Sequence, residues 1–164
     1  MRYLNKIVFI NSAAIRYSEV QLDGNIHLIG TQGVGKSTIL RAILFFYNAD
    51  TQRLGIPVEK KSYQDYYFPY ADSSIIYEVA REDGWFTVLS YKTMNRICYR
   101  FIASPYRPDL FIDEEGAPYP SDRIRSVLDK NGIKYSGAIS TYEEYRNILY
   151  GNSDNKRDYS CYSL

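Results

Sequence analysis

The sequence contains few of the cysteine and histidine residues that form disulfide frameworks or zinc sites. Among 164 residues there are only two cysteines, Cys98 and Cys161, and a single histidine, His27. The cysteines lie far apart and form no C-x-x-C motif, whereas zinc sites and disulfide scaffolds use clustered cysteines and histidines. A disulfide-stapled extracellular fold is therefore unsupported, and we predict a reducing, cytoplasmic location.

Long apolar runs and an excess of charge of one sign are also missing. The longest strongly apolar run, 39–47, is interrupted by Arg41, whereas a membrane-spanning helix needs about 20 apolar residues. The N-terminal sequence lacks the apolar stretch and cleavage site of a signal peptide. We therefore expect no membrane partner.

With 20 basic and 19 acidic residues, the net charge is +1, so only a local basic patch is compatible with nucleic-acid binding.

The chain does contain enough apolar sequence for one folded domain. Hydrophobic residues, counting 18 tyrosines, make up 45% of it, which argues against a disordered chain. Apolar runs and turn signals predict strands at 4–10, 17–22 and 26–29, and an antiparallel meander at 74–80, 85–91 and 97–103. We place the domain at 1–151 and a tail at 152–164.

Helical patterns frame this meander. The segment 36–48 is apolar at nearly every position after Thr38, which predicts a helix buried on most sides. Two further helices are expected at the end of the chain, one capped by Ser121 and one by a capping box formed by Thr141 and Glu144. The segment 50–67 is predicted as a loop and 109–119 as a small hairpin. The predicted class is α/β with α+β character, an antiparallel meander and peripheral helices.

The strongest chemical signal is GTQGVGKS, residues 30–37, which matches G-x-x-x-x-G-K-[ST] without a mismatch. The glycines let successive backbone N–H groups face phosphates, and the following helix adds its free N–H groups and dipole. Lys36 is the catalytic candidate because its ammonium neutralises β- and γ-phosphate oxygens, Ser37 is the Mg²⁺ ligand, and Thr38 can bond the α-phosphate. The predicted cofactors are ATP and Mg²⁺, and the predicted cofactor-binding residues are Gly30, Thr31, Gln32, Gly33, Val34, Gly35, Lys36, Ser37 and Thr38.

Plainer interpretations compete with this one. A glycine-rich turn could cap a buried helix without any ligand, but that leaves Lys36 unexplained, since an unpaired charge at a buried helix start is costly. The tyrosines, including those in 63–70, are expected mainly to pack on half-buried strands, with an aromatic platform for bases as the alternative.

Weaker candidates lie elsewhere in the chain. Asp113 and Glu114 end an apolar segment, as do the Mg²⁺-binding carboxylates of ATPases, but the same residues also suit a hairpin turn. His27 is expected to be a packed histidine. Gln52 and Gln64 are both candidates for a metal- or water-sensing glutamine, and nothing in the sequence selects between them.

The order of the elements resembles a known group of ATPases. Residues 4–50, LNKIVFINSAAIRYSEVQLDGNIHLIGTQGVGKSTILRAILFFYNAD, are similar to the N-terminal lobe of the ABC-type ATPase head in the SMC, RecF and RecN group. The continuation at 60–82, KKSYQDYYFPYADSSIIYEVARE, looks most like the bacterial condensin-type MukB, MksB and JetC proteins. The resemblance extends loosely to residue 150 and implies a P-loop NTPase fold.

The resemblance also implies how such a protein works. The full chain would carry a coiled coil and a C-terminal lobe with the Walker B strand and signature motif, so this chain is expected to be a piece that cannot complete the ATP site alone. Two heads would dimerise around ATP and act on DNA. The implied partners are ATP, the C-terminal lobe of the same chain, a second head in a homodimer, DNA and kleisin-like subunits.

The family's phosphate-loop roles transfer to matching positions of this sequence, namely Gly30, Gly35, Lys36, Ser37 and Thr38. Asn11, Ser12 and Arg16 correspond only roughly to the family's polar loop near the nucleotide. Gln32 stands where many members have asparagine.

Two alternative functions remain open. The first is a self-contained small NTPase or kinase that uses Asp113 and Glu114 as its metal carboxylates. The second is a nucleotide-binding interaction module that does not hydrolyse its ligand.

Overall fold

A five-stranded, wholly antiparallel sheet organises the computed structural model, which describes residues 2–22, 35–48, 62–152 and 159–164. The strands are β1 (Tyr3–Ser12), β2 (Ile15–Gln21), β3 (Ser74–Arg81), β4 (Gly84–Thr93) and β5 (Arg96–Ile102). Their order is β2-β1-β3-β4-β5, so β3 is central. The helices are α1 (Lys36–Asn48), α2 (Tyr63–Tyr67), α3 (Ser121–Lys130) and α4 (Tyr142–Leu149).

Tight turns fix the register of the hairpins. Gly84 has φ 143° at the β3–β4 turn, a conformation that glycine adopts without a steric penalty. In β1, Ile7 pairs with Val20 of β2 and with Tyr77 of β3, so β1 lies between these two strands. The strands β3, β4 and β5 pair antiparallel in sequence order, which confirms the predicted meander, and β1 and β2 extend the same sheet.

Helices cover both faces of the sheet. The side chains of α1, α2 and α4 pack on one face, against alternate strand residues that include Phe9, Tyr77 and Phe101. On the other face, α3 packs with the segment around Phe111 against the intervening residues, such as Ile76. Alternate residues of a strand point to opposite faces, and the central β3 is accordingly buried on both.

The helix α1 begins and ends as predicted, but it is not buried on most sides. Ile39, Ala42, Phe45 and Phe46 lie in the core, whereas the side chains at 40 and 44 are each 44% exposed. A helix lying on a single sheet buries one stripe only, and positions four apart share its outer side. The expectation of a nearly all-round buried helix is therefore wrong for the structure as described.

The two C-terminal helices were predicted well, apart from one cap. Thr141 accepts a hydrogen bond from the Glu144 N–H at 3.2 Å, as its predicted capping role requires. Ser121 is instead the first residue of α3, and Pro120 occupies the cap position without a side-chain hydrogen bond. Gly132 and Gly151 follow the helices with φ of 66° and 71°, which is the left-handed conformation typical of helix ends.

Two segments differ from the sequence expectation. Part of the predicted loop at 50–67 forms the short helix α2, capped by Ser62 through the Asp65 N–H at 3.2 Å. The predicted hairpin at 109–119 forms over its inner part, through the bridge between Ile112 and Pro118 and the backbone hydrogen bonds that flank it, whereas its first residues form a 3₁₀ turn at Pro108–Leu110. The predicted strand 26–29 and most of the glycine-rich loop lie outside the described residues.

The mixed α/β class is confirmed. The described strands pair only antiparallel with one another. No helix within the described ranges is long and apolar enough to span a membrane. Residues 159–164 contact the domain, since the buried Tyr162 ring lies 5.4 Å from that of Phe101, measured between centroids.

Candidate functional site

The structure describes the second half of the phosphate motif. Gly30, Thr31, Gln32, Gly33 and Val34 lie outside the described residues. Gly35 precedes α1 and accepts from the Ile39 N–H at 3.2 Å, which is the first bond of the helix ladder among the described residues. The N–H groups of Lys36, Ser37 and Thr38 come before that bond, where helices leave donors for ligands.

The side chains at this helix start face solvent. Lys36 and Ser37 are exposed and Thr38 is half-buried. Because Lys36 is not buried, the argument that burial makes a purely structural lysine costly does not hold. Its ammonium has no hydrogen bond or ion pair with any other described residue. The start of α1 therefore carries one exposed cation, one exposed hydroxyl and the positive end of the helix dipole.

Two tyrosines of the helix α2 contact Thr38. The Tyr67 hydroxyl donates to the Thr38 carbonyl oxygen at 2.8 Å, and the Tyr66 hydroxyl lies 3.4 Å from Thr38 Oγ1. The Tyr66 carbonyl in turn accepts from the Ala13 N–H at 3.2 Å. Thus α2 connects the turn between β1 and β2 to the first turn of α1.

The polar residues expected near the nucleotide lie in the hairpin formed by β1 and β2. The Asn11 carbonyl accepts from Ser73 Oγ, and Ser12 is fully buried with a hydroxyl that has no hydrogen-bond partner among the described residues. Arg16 is exposed and lines a cavity that Asn11 lines too. The weak correspondence of these three residues stays a prediction.

That cavity is an open cleft of about 880 Å³ between the β1–β2 hairpin and residues 108–119. Tyr17 lines it, and its hydroxyl lies 2.8 Å from that of Tyr106. Partial burial raises the pKa of Tyr17 to about 12, so the phenol stays protonated at neutral pH. The Phe111 segment beside the cleft packs on the opposite face of the sheet from α1.

Asp113 and Glu114 occupy a turn rather than the end of a sheet strand. The Asp113 carboxylate accepts from the N–H groups of Glu115 and Ala117, both at 2.9 Å. Its own N–H donates to the Ala117 carbonyl at 2.9 Å. The hairpin-turn interpretation is therefore the one that the local geometry favours, and Oδ1 of the carboxylate accepts both hydrogen bonds within its own loop.

A row of tyrosine hydroxyls along α1 was not predicted. Tyr67, Tyr77 and Tyr145 donate to the carbonyl oxygens of residues 38, 42 and 46 at 2.8, 2.9 and 2.6 Å. These acceptors are spaced by four and lie on one side of the helix. The high tyrosine content was the signal for this arrangement, but spacing along the chain could not pair the hydroxyls with carbonyls because the donors come from α2, β3 and α4.

Comparison with known proteins assigns the family. Residues 11–159 match the family described as "Protein of unknown function (DUF3584)". The chain belongs to the DUF3584 family. Comparisons with curated proteins and with solved structures gave no match. The matched region contains the phosphate motif, the tyrosine row and the strands β2 to β5, whereas most of β1 (Tyr3–Ser12) precedes it.

The remaining candidates add little to the site. His27 and Gln52 lie outside the described residues. Gln64 is half-buried in α2, and its carbonyl accepts from the Phe68 N–H at 2.9 Å. Cys98 is buried and Cys161 is partly buried, and both are free cysteines. No group of three metal-ligating His, Cys, Asp or Glu side chains occurs in the part of the chain that the structure describes.

Proposed function

We propose that this DUF3584 protein is the ATP-binding N-terminal part of an SMC-like ATPase, whose ATP-driven head dimerisation acts on DNA. The observation that carries the proposal is the unbroken motif GTQGVGKS running into a helix that starts at Lys36. A phosphate-binding site needs this combination of glycines, backbone donors and a lysine. The exposure of Lys36 and Ser37 supports it, because both side chains can reach a ligand without rearrangement of the core.

The proposed roles follow from the charges and donors at the helix start. Lys36 neutralises the terminal phosphates, Ser37 ligates Mg²⁺, and the N–H groups of the first turn together with 30–34 bind phosphate oxygens. The positive end of the dipole adds to the attraction, and no acidic residue occupies the first turn of α1. ATP and Mg²⁺ are therefore the proposed cofactors.

The SMC-like part of the proposal rests on the resemblance of residues 4–50 to the N-terminal lobe of such ATPase heads, and the resemblance of residues 60–82 to MukB, MksB and JetC proteins suggests a condensin-type system. In this proposal ATP joins two heads, and each head is completed by a C-terminal lobe that supplies the missing carboxylate and signature motif. DNA and kleisin-like subunits are proposed partners of the assembled protein, in chromosome organisation, repair or plasmid defence. Hydrolysis is assigned to that assembly, and this chain alone is expected to be inactive.

The main alternative is a self-contained small NTPase that uses Asp113. Its carboxylate already accepts hydrogen bonds from two backbone N–H groups, which disfavours a role as a metal ligand. Its segment also packs across the sheet from α1. A nucleotide-binding module without hydrolysis fits the described residues equally well, and turnover by the dimerised full head separates it from the ATPase.

The test is nucleotide affinity. Binding of N-methylanthraniloyl-ATP with Mg²⁺ is measured by fluorescence for the wild type, Lys36→Ala and the control Lys130→Ala, which removes another exposed helical lysine. Loss of a charge-assisted phosphate contact worth about 1.5–3 kcal/mol weakens binding by roughly tenfold or more. Equal affinity of wild type and Lys36→Ala would overturn the proposal.

A further inference from the structure

Three buried tyrosines contact the backbone of α1, but only one of them contacts its first turn, directly after the phosphate motif. The hydroxyls of Tyr77 and Tyr145 donate to the carbonyls of Ala42 and Phe46. Both rings are almost completely buried, and a buried phenol needs an acceptor. Satisfying that need explains these two contacts fully. Tyr67 is equally buried and has the same need, but its acceptor is Thr38, in the first turn of the helix.

The bond from Tyr67 is not needed by Thr38. In an α-helix the Thr38 carbonyl already accepts the N–H four residues later. The Tyr67 hydroxyl is therefore a second donor to this carbonyl, at 2.8 Å, and it comes from a side chain that is 0% exposed. This hydrogen bond restrains the start of the helix. The Tyr67 ring is itself held by stacking on Tyr63, with centroids 4.2 Å apart. Together these contacts define the rotation and axial position of the first turn.

The neighbouring Tyr66 acts on the Thr38 side chain. Its hydroxyl lies 3.4 Å from Thr38 Oγ1, which is longer than an ideal hydroxyl hydrogen bond. Threonine near a helix start divides between two rotamers, because its hydroxyl can also bond a backbone carbonyl. A polar neighbour at this distance biases that choice. The Ala13 N–H holds Tyr66 from the other side, through the Tyr66 carbonyl at 3.2 Å.

We propose that Tyr67, assisted by Tyr66, is a positioning residue of the phosphate site, so that α2 is part of the nucleotide-binding apparatus. This inference rests on the proposed ATP-binding function. Tyr67 fixes the backbone at Thr38, and the N–H groups of Lys36, Ser37 and Thr38 are thereby aimed at the phosphates before the ligand arrives. Preorganised donors bind more tightly because less ordering accompanies binding.

The experiment compares Tyr67→Phe with Tyr145→Phe. Each variant deletes one hydroxyl that donates to a carbonyl of α1, at opposite ends of the helix, and each retains its buried ring. Two quantities are measured for both variants: the hydrogen–deuterium exchange rate of the amides at 39–42 and the dissociation constant of N-methylanthraniloyl-ATP. Both melting temperatures should fall by a similar amount, which controls for general destabilisation.

We expect Tyr67→Phe alone to accelerate exchange at 39–42 and to raise the dissociation constant about fivefold, as loss of about 1 kcal/mol would do. Tyr145→Phe should leave the dissociation constant within about twofold of the wild type. Tyr66→Phe should produce a smaller change than Tyr67→Phe, in the same direction.

The outcomes separate this inference from the function on which it rests. If the wild type binds ATP and the Tyr67→Phe and Tyr145→Phe variants weaken binding equally, the positioning role is overturned and ATP binding stands. Unaltered exchange at 39–42 in Tyr67→Phe also overturns it, whether or not ATP binds. If the wild type fails to bind ATP, the proposed function falls and the positioning role falls with it.

Discussion

The buried tyrosines should make this protein unusually sensitive to alkali. Burial raises the pKa of Tyr63, Tyr77 and Tyr145 well above the ordinary value of 10, and it also raises the pKa of Tyr67. Neighbouring phenols add to the shift at each of these sites. In the unfolded chain the same phenols ionise near pH 10. Their contribution to stability is therefore complete below pH 10 and is lost as the pH rises towards the folded-state values.

The size of the effect follows from linkage. At about pH 11 a buried phenol is still protonated in the folded protein but is ionised in the unfolded chain. Ionisation stabilises the unfolded chain, so each such tyrosine lowers the free energy of unfolding by about 1.4 kcal/mol. The four tyrosines together remove about 6 kcal/mol at that pH, and about twice as much at pH 12. Single domains have roughly 5–15 kcal/mol in total. We therefore expect cooperative unfolding between about pH 11 and 12.

The assay combines tyrosinate absorbance near 295 nm with far-ultraviolet circular dichroism during a pH titration. Exposed phenols should ionise first, and a second absorbance step should coincide with the loss of ellipticity. Tyr145→Phe should lower the slope of unfolding free energy against pH by about 1.4 kcal/mol per pH unit above pH 10. Gradual ionisation of all 18 tyrosines around pH 10, with the ellipticity retained, would refute this account of the core.

Two further substitutions test local features. Thr141→Ala removes the hydroxyl that caps α4 and should lower the free energy of unfolding by about 1 kcal/mol in a urea titration; an unchanged midpoint would contradict the capping role. Asp113→Ala removes the acceptor of two N–H groups in its turn and should reduce thermal stability while leaving nucleotide affinity unchanged; weakened ATP binding would instead favour the small-NTPase alternative.

Local patterns predicted much of the sheet and most of the helix ends. The meander was predicted because its alternating apolar segments are separated by short turns such as the one ending in Gly84. The cap at Thr141 was predicted because it uses residues three apart in the chain. Pro120 displaced the predicted cap at Ser121, since a proline fits the extended conformation that precedes a helix.

Features that depend on tertiary contacts were not predicted. The short helix α2 is five residues long, and such helices form mainly through packing rather than intrinsic propensity. Its Tyr63 and Tyr67 rings are buried against the core around α1. The exposed side of α1 was not predicted either. An apolar sequence alone does not determine how many sides of a helix pack against other elements. Within the candidate site, the motif predicted the residue types. The contacts of Tyr66 and Tyr67 with Thr38 could not be predicted, because they join residues about 28 positions apart in the chain.

The central claim is that the GKS end of the motif binds the phosphates of ATP, and calorimetric titration of Mg²⁺–ATP into the wild type and Lys36→Ala tests it most directly. We predict saturable one-site binding to the wild type, dependent on Mg²⁺ and weakened at least about tenfold in Lys36→Ala. The same heat and affinity in both proteins, or no saturable binding to a folded wild type, would contradict the claim.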